Sequence, residues 1–231
     1  MTEDIGGITV LNSEAEDYHT HTITFSDGFN SVDEMVIYAG KIGMKKIVLT
    51  DHSQFVLDRL GYGKKTHRVI LKRWGNVHND VEVLFGVEAD ILNKEGDICS
   101  DIQGIESENI ILSAHTLSYT GPHETITDAY LRAIERHGDR IMCLGHLCSV
   151  YFQKHIDVIP IIELAIEKGV PFELNCGNLV TKRTNMTNLQ KMLSRAKQLY
   201  INSDAHTLSE LTLYRKEGFS FLRNYFEPKS E

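Results

Sequence analysis

Short apolar runs alternate along the chain with longer segments in which apolar residues recur at helical spacing. The runs are rich in Val, Ile and Leu, as in the stretch KIVLTD at residues 46–51. This alternation predicts β/α units built around a largely parallel sheet. The predicted strands are Asp17–His21, Lys46–Asp51, Val81–Glu88, Asn109–His115, Arg140–His146, Pro171–Asn175 and Leu199–Asp204.

The segments between these strands have the periodicity of amphipathic helices. Ser31 precedes the first of them and Glu34 follows three residues later, which is the spacing of a capping box. No repeat, low-complexity tract or linker divides the sequence, so we expect one domain over residues 1–231. The predicted helices are Val32–Ile42, Thr66–His78, Thr125–Arg136, Ile156–Glu167, Leu189–Lys197 and one that begins near Leu208.

Two architectures fit this α/β pattern, because periodicity alone does not separate a closed barrel from an open doubly wound sheet. Every predicted strand ends in a polar residue that could bind a metal or shape a site. A β/α barrel collects its chemistry at the same strand ends. The strand-end residues therefore favour the barrel.

Composition narrows the class of protein. The 231 residues are 42% hydrophobic and 24% charged, which is typical of a globular domain. No apolar run is long enough to cross a bilayer, and the first residues, MTEDIGG, lack the features of a signal peptide, so we expect a cytoplasmic location. A net charge of -8 without a dense Lys/Arg run disfavours extended nucleic acids as partners. The four cysteines have no Cys-x-x-Cys spacing, which argues against a zinc ribbon or a thioredoxin-like motif.

Histidine is the unusual residue, with 11 in the chain. His19 and His21 are two positions apart, so both side chains can point to one face of a strand and reach one cation. Each His-containing motif alone is more often structural than metal-binding. Their accumulation at successive strand ends indicates a common cause. The strand-end set is His19, His21, Asp51, His52, Glu88, His115, His146, Glu173, Asn175, Asp204 and His206.

Three carboxylates, those of Asp27, Glu88 and Asp204, would repel one another if they converged without cations, and their pKa values would rise. About three divalent cations would remove that repulsion and leave a locally cationic pocket suited to a phosphate dianion. Imidazole and oxygen ligands without thiolate fit Zn²⁺, Fe²⁺ or Mn²⁺ and do not choose among them. Such a centre activates water for hydrolysis and stabilises charge on a phosphoryl group.

The order of these motifs resembles the polymerase-and-histidinol-phosphatase (PHP) family from Asp17 to Leu211. The small phosphatase-like members and the PHP domains of family-X DNA polymerases have the most similar segment at residues 86–97. The chain has no polymerase portion, and we expect a stand-alone domain. The resemblance is carried by the motifs His19-Thr-His21, Ser26-Asp27-Gly28, Leu49-Thr50-Asp51-His52, Gly86-Val87-Glu88-Ala89-Asp90-Ile91, Ala114-His115, Gly145-His146, Glu173-Leu174-Asn175 and Ser203-Asp204-Ala205-His206.

The resemblance implies a distorted seven-stranded (β/α)7 barrel with a trinuclear metal centre at its mouth. Glu88 would bridge the first two metals, and a hydroxide between those metals would be the nucleophile. Asp27 stands where some family members have His, and its carboxylate is an acceptable oxygen ligand. By motif, the ligands would be His19, His21, Glu88 and Asp204 for the first metal, Glu88, His115 and His146 for the second, and Asp27, His52 and His206 for the third.

Other polar residues have less specific patterns. Arg183, just beyond the sixth strand, resembles a basic residue that meets substrate phosphate, since its fork suits phosphate oxygens. The alternative for Arg183 is an ordinary exposed loop residue. Asp51 and Glu173 could orient metal ligands from outside the ligand set, or could close turns.

The leading functional hypothesis is a metal-dependent phosphoric monoester hydrolase acting on a small phosphorylated metabolite. L-histidinol phosphate is one candidate that the family resemblance suggests. One alternative is a nuclease or phosphodiesterase like the polymerase-associated domains, and another is a metal-binding domain without turnover. The sequence does not specify the leaving group or the oligomeric state.

Overall fold

A computed structural model describes residues 2–62 and 67–227. Its helices are α1 (Val32–Lys41), α2 (Gln54–Arg59), α3 (His67–Arg73), α4 (Ile126–His137), α5 (Val158–Lys168), α6 (Cys176–Val180), α7 (Met186–Leu193) and α8 (Leu208–Phe226), with 3₁₀ turns at His123–Thr125 and Gly138–Arg140. Its strands are β1 (Glu3–Ile5), β2 (Ile8–Val10), β3 (Glu16–Thr20), β4 (Lys46–Leu49), β5 (Glu82–Phe85), β6 (Val87–Ile91), β7 (Ile98–Cys99), β8 (Asp101–Ile102), β9 (Ile105–Glu106), β10 (Ile110–Ser113), β11 (Ile141–Leu144), β12 (Phe172–Asn175) and β13 (Gln198–Asn202).

Parallel strands form the centre of the fold. The larger sheet has the order β1-β2-β13-β12-β11-β10-β6-β7, in which the neighbours from β6 to β13 run parallel. A second sheet contains β3, β4 and β5, again parallel. The β1–β2 hairpin extends the larger sheet beside β13, and β7 closes its other edge as an antiparallel strand. The chain is thus a mixed α/β fold with a central parallel sheet.

All the predicted strand segments contain strands, but Val81–Glu88 covers parts of two. The first part, β5, pairs with β4, and from Val87 onward the chain pairs with β10 instead. Gly86 lies at this change of partner. A Cβ atom there would lie 2.7 Å from the Asn109 carbonyl oxygen, so the close approach of the two backbones requires glycine.

Isolated bridges join the two sheets at both seams. Thr20 pairs with Ala205 at one seam, where the His21 amide donates to the Ala205 carbonyl at 2.9 Å. His52 pairs with Glu88 at the other. Among the described residues these bridges do not extend into continuous ladders, and the two sheets do not form a fully hydrogen-bonded closed barrel.

The helices follow the predictions with differences at their ends. The capping box of Ser31 and Glu34 is present at α1. For the helix predicted over Thr66–His78, the predicted first residue lies outside the described residues. The helix ends at Arg73, so the predicted end at His78 is wrong. The helix predicted from Leu189 begins at Met186, because the Asn185 side chain caps it by accepting from the Asn188 amide.

Apolar residues of α4, α5 and α7 pack against the larger sheet and form the main core. The last helix, α8, is anchored by Arg215, which is 5% exposed and whose Nε lies 3.3 Å from an Asp17 carboxylate oxygen at β3. None of the helices over residues 2–62 and 67–227 combines the length and the apolarity that crossing a bilayer requires. Many of the other buried polar groups lie near the carboxyl ends of the parallel strands.

Candidate metal centre

A cleft of about 370 Å³ opens at the carboxyl ends of the parallel strands. The predicted ligands lie in or beneath it, because nearly all of them lie at or just beyond the carboxyl end of a strand, on the same side of the fold. Glu88 is the second residue of β6 and comes three residues after the end of β5. His19 is in β3, with His21 and Asp27 just after it, and Glu88 is in β6. The others follow their strands directly: His52 after β4, His115 after β10, His146 after β11, and Asp204 and His206 after β13.

Glu88 is the centre of this arrangement, with only 1% of its surface exposed. Its Oε1 lies 2.7 Å from His146 Nε2 and 3.4 Å from His115 Nε2. Its Oε2 lies 2.9 Å from His52 Nδ1. His19 and His21 approach the same carboxylate at 3.7 and 3.6 Å. One carboxylate therefore touches five imidazoles from four strand ends, since His19 and His21 both belong to the end of β3.

The ligand atoms form three compact groups within the described chain, each with its atoms no more than 4.8 Å apart. The groups share His21 and His52, so they adjoin one another. His146 is outside the three groups, although it touches Glu88. The groups are His19, His21 and Asp204; His52, Glu88 and His115; and His21, Asp27, His52 and His206.

These residues fit divalent cations. Four buried polar atoms in the cluster have no hydrogen-bond partner: His19 Nε2, His21 Nε2, His52 Nδ1 and Asp27 Oδ1. An unpaired buried polar atom is destabilising, by about 1–3 kcal/mol. Imidazole nitrogen and carboxylate oxygen are also the donors that Zn²⁺, Mn²⁺ and Fe²⁺ accept.

Buried carboxylates outside the ligand set accept hydrogen bonds from the histidine rings on the side away from the centre of the cluster. Glu173 accepts from His19 Nδ1 at 2.8 Å, and Asp90 accepts from His115 Nδ1 at 2.7 Å. Each bond leaves the opposite nitrogen, Nε2, facing the centre, and this is the arrangement that orients metal-binding histidines. Asp90 was not foreseen as an orienting residue, although its position two residues after Glu88 on one strand places it on the same face.

Asp51 acts on the loop that carries Asp27. It accepts from the Thr22 amide at 2.7 Å and from the Ser26 hydroxyl, and this hydroxyl lies 3.4 Å from His21 Nδ1. Burial raises the pKa of Asp51 to about 6, against the lowering effect of these hydrogen bonds. The prediction that Asp51 and Glu173 could orient ligands is consistent with these contacts.

The charges of the cluster shift its pKa values in opposite directions. Burial opposes the charged imidazolium of His206, but the nearby carboxylates of Asp27 and Asp204 raise its pKa to about 9. Burial likewise opposes the charged form of Glu88, yet the nearby histidines hold its pKa well below the usual range. His21 differs, since burial and the positive charge of His206 lower its pKa to about 4. The carboxylates therefore stay ionised and attract cations.

Two of the candidate ligands have left-handed backbone conformations. His146 has φ 27° and Asp204 has φ 54°. Such conformations are strained for residues other than glycine, by about 1–3 kcal/mol each, and they concentrate at functional sites. In both cases the backbone turns immediately after a strand and directs the side chain into the cleft.

The outer wall of the cleft contains Arg183 and side chains that the sequence did not suggest. Tyr151 and Tyr214 line the opening together with Asn178. Tyr151 follows His146 by five residues and Tyr214 lies on α8. No spacing or composition signal marks either tyrosine, since their place at the rim depends on how the loops fold over the strand ends.

Comparisons with known proteins agree with this geometry. The PHP domain family model matches residues 17–227. A probable phosphatase of Clostridium acetobutylicum is 31% identical over 200 residues, covering 82% of this chain and 78% of its own length. The probable phosphatase YcdX of Escherichia fergusonii is 22% identical over 196 residues, covering 83% of this chain and 78% of its own.

Two solved structures have a similar fold. A histidinol phosphate phosphatase from Lactococcus lactis, crystallised with zinc, L-histidinol and phosphate, superposes with a TM-score of 0.55 at 14% identity, covering 91% of this chain and 93% of the other. A putative histidinol phosphatase from Listeria monocytogenes has a TM-score of 0.53 at 15% identity, covering 87% and 99%. At these identities the superpositions establish a common fold.

Proposed function

The chain belongs to the PHP domain family, and from this premise we propose that it is a metal-dependent phosphoric monoester hydrolase acting on a small phosphorylated metabolite. The observation that carries the proposal is the buried Glu88 carboxylate, surrounded by five imidazoles at the floor of an open cleft. We also retain a single domain over residues 1–231 and a cytoplasmic location as predictions.

We propose that the seven predicted strand segments, with β5 and β6 as parts of one of them, form a distorted (β/α)7 barrel. Its mouth would hold about three divalent cations, Zn²⁺, Fe²⁺ or Mn²⁺. The bridges at both seams support the barrel. The three adjoining groups of ligand atoms support the number of cations. The proposed metal ligands are His19, His21, Asp27, His52, Glu88, His115, His146, Asp204 and His206.

Cations bound there would supply a hydroxide nucleophile from water at neutral pH and would stabilise charge on the phosphoryl oxygens. The protein side chains provide the rest of the chemistry. Glu88 and Asp204 would supply the negative charge that holds the cations, and Glu173 and Asp90 fix the rings of His19 and His115. Arg183 is the one cationic side chain other than histidine that lines the cleft among the described residues, and we propose that it contacts substrate phosphate.

The substrate is proposed to be a phosphomonoester with a compact leaving group. The cleft volume of about 370 Å³ lies near the lower end of ordinary small-molecule sites. L-histidinol phosphate is a candidate to test first, since the Lactococcus lactis neighbour was crystallised with L-histidinol and phosphate. A phosphodiesterase or nuclease would use the same cations, so esters of both types must be compared.

The test uses metal-loaded protein with p-nitrophenyl phosphate, bis-p-nitrophenyl phosphate, single-stranded DNA and L-histidinol phosphate. We expect hydrolysis of monoesters to exceed that of the diesters. Glu88→Gln should lower kcat/KM by about 1,000-fold or more, because it removes charge at the centre of the cluster. Its matched control is Glu82→Gln on β5, where an exposed carboxylate pairs with Lys46 at 3.1 Å. Equal activity of the two variants would refute the proposed site.

A further inference from the structure

Tyr151 lies at the rim of the cleft, against two of the candidate ligands. The centroid of its ring is 6.2 Å from that of His115 and 6.2 Å from that of His146, with angles between the ring planes of 56° and 89°. Edge-on contacts of this kind fix the direction in which an aromatic side chain points. The residue is 39% exposed, so it borders both the cleft and the solvent.

The loop of Tyr151 is tied to the loop of Arg183 by backbone contacts. The Val150 amide donates to the Arg183 carbonyl at 2.9 Å. The adjacent residues Ser149 and Thr184 form an antiparallel bridge. The two loops are therefore held in one register, and the two side chains reach the same part of the cleft.

The Arg183 and Tyr151 side chains are neighbours in the wall of the cleft. Burial raises the pKa of the Tyr151 phenol, and the nearby positive charge of Arg183 acts in the opposite direction. The Arg183 backbone is fixed as well, since its amide donates to the Asn178 carbonyl at 2.7 Å. The Arg183 side chain beyond this anchored backbone is long, so a neighbouring hydroxyl that accepts from its guanidinium would reduce the number of rotamers it samples.

We propose that Tyr151 is a positioning residue that holds Arg183 over the metal cluster, and that this pair selects phosphomonoesters over phosphodiesters. The proposal rests on the proposed function. A phosphomonoester dianion has three non-bridging oxygens that share two negative charges, whereas a diester has two such oxygens and one negative charge. An arginine fork held in place would therefore bind a monoester more strongly than a diester. The pair therefore contributes to binding of monoesters and contributes little to binding of diesters.

The experiment removes the phenol hydroxyl and keeps the ring, through Tyr151→Phe. We expect KM for p-nitrophenyl phosphate to rise about 3- to 10-fold, the range of a single hydrogen bond, with kcat changed less. Hydrolysis of bis-p-nitrophenyl phosphate should stay within about 2-fold of the parent protein, since a diester lacks the third oxygen. The matched control is Tyr38→Phe, whose hydroxyl pairs with Thr212 at 2.7 Å outside the cleft.

A double-mutant cycle separates positioning of Arg183 from a general structural role of Tyr151. In an Arg183→Ala background, Tyr151→Phe should have little further effect on KM. Binding of inorganic phosphate to the Mn²⁺-loaded proteins, measured by calorimetry, should show the same non-additivity. Metal content should be equal in all variants.

Three results would overturn the proposal: Tyr151→Phe behaving like Tyr38→Phe, effects that multiply in the double variant, or equal losses for monoester and diester. Failure of the proposed function is a separate outcome. A metal-loaded parent protein that hydrolyses none of the esters would refute the phosphatase, while the phosphate-binding cycle would still decide whether Tyr151 positions Arg183.

Discussion

Glu173→Gln tests whether the carboxylate behind the cluster controls the metal centre. Glu173 is 2% exposed and accepts four hydrogen bonds. One oxygen takes His19 Nδ1 at 2.8 Å and Asn202 Nδ2 at 2.9 Å. The other takes the His146 amide at 2.9 Å and Asn175 Nδ2 at 3.0 Å. Glutamine has nearly the same shape but replaces one of these oxygens with a donor.

Either orientation of the new amide breaks two of the four bonds. If the amide group faces His146 and Asn175, two buried donors lose their acceptor. If it faces His19 and Asn202, the His19 proton can move from Nδ1 to Nε2, which then cannot bind a cation. Loss of an orienting partner lowers metal affinity by about 10- to 100-fold, which corresponds to about 1.4–2.7 kcal/mol.

Competition between the protein and a chromogenic chelator measures this change, with Zn²⁺ and Mn²⁺ titrated separately. The matched control is Glu135→Gln, an exposed carboxylate that pairs with Lys168 at 3.2 Å on the helical surface. We expect the control to bind metal as the parent protein does. Parent-like metal affinity in Glu173→Gln, with the variant folded by circular dichroism, would refute the role assigned to Glu173.

Further predictions concern the cations, the pH dependence and the arginine. Elemental analysis of protein never exposed to chelator should give more than one transition-metal ion per chain, and a value of one or less that metal addition does not raise would contradict the trinuclear centre. His206 has a folded pKa of about 9 against about 6.5 when unfolded, so its contribution to stability is complete below pH 6.5 and is lost as the pH rises to about 9. As the pH rises through this window, the chelator-treated parent protein should therefore lose more stability than chelator-treated His206→Gln, and the metal affinity of the parent protein should rise. Denaturation midpoints measure the stability and chelator competition measures the affinity. An opposite trend in either would contradict the assignment. Arg183→Ala should keep its metal content and raise KM for the best monoester, with kcat also falling if the contact strengthens in the transition state; Arg183→Lys should restore activity only in part, and an unchanged kcat/KM would make Arg183 an ordinary loop residue.

The strands could be predicted from sequence because parallel strands are buried on both faces and appear as continuous apolar runs. A continuous apolar run, however, does not reveal the residue at which the chain changes from one neighbouring strand to another. Residues 81–91 are one apolar stretch, yet β5 and β6 pair with different strands on either side of Gly86. The elements β1, β2, α2 and α6 were not predicted, because each is only a few residues long and shows too few apolar positions to define a periodicity.

The candidate ligands could be predicted because strand ends of a β/α fold meet on one side, so position along the chain implies proximity. Asp90 and Tyr151 could not be assigned in the same way. Asp90 contacts His115 only because β6 and β10 are neighbours, and Tyr151 reaches the cleft only because its loop pairs with the loop of Arg183. Both contacts depend on which distant segments of the chain pair with each other, and a single sequence does not show this.

Glu173 also explains how the strained backbone of His146 is maintained. The left-handed turn at His146 leaves its amide outside any strand ladder, and Glu173 accepts this amide while it also accepts the His19 ring. Asn175 extends the network, because its side-chain amide donates both to Glu173 and to Asp204, the second left-handed ligand. Candidate ligands from three different strand ends are thus connected through β12, a strand that supplies none of the proposed ligands itself. Since the strain at His146 and Asp204 is balanced by bonds to β12, a change at Glu173 should disturb several ligands together, whereas a change at Asp90 should act mainly on His115.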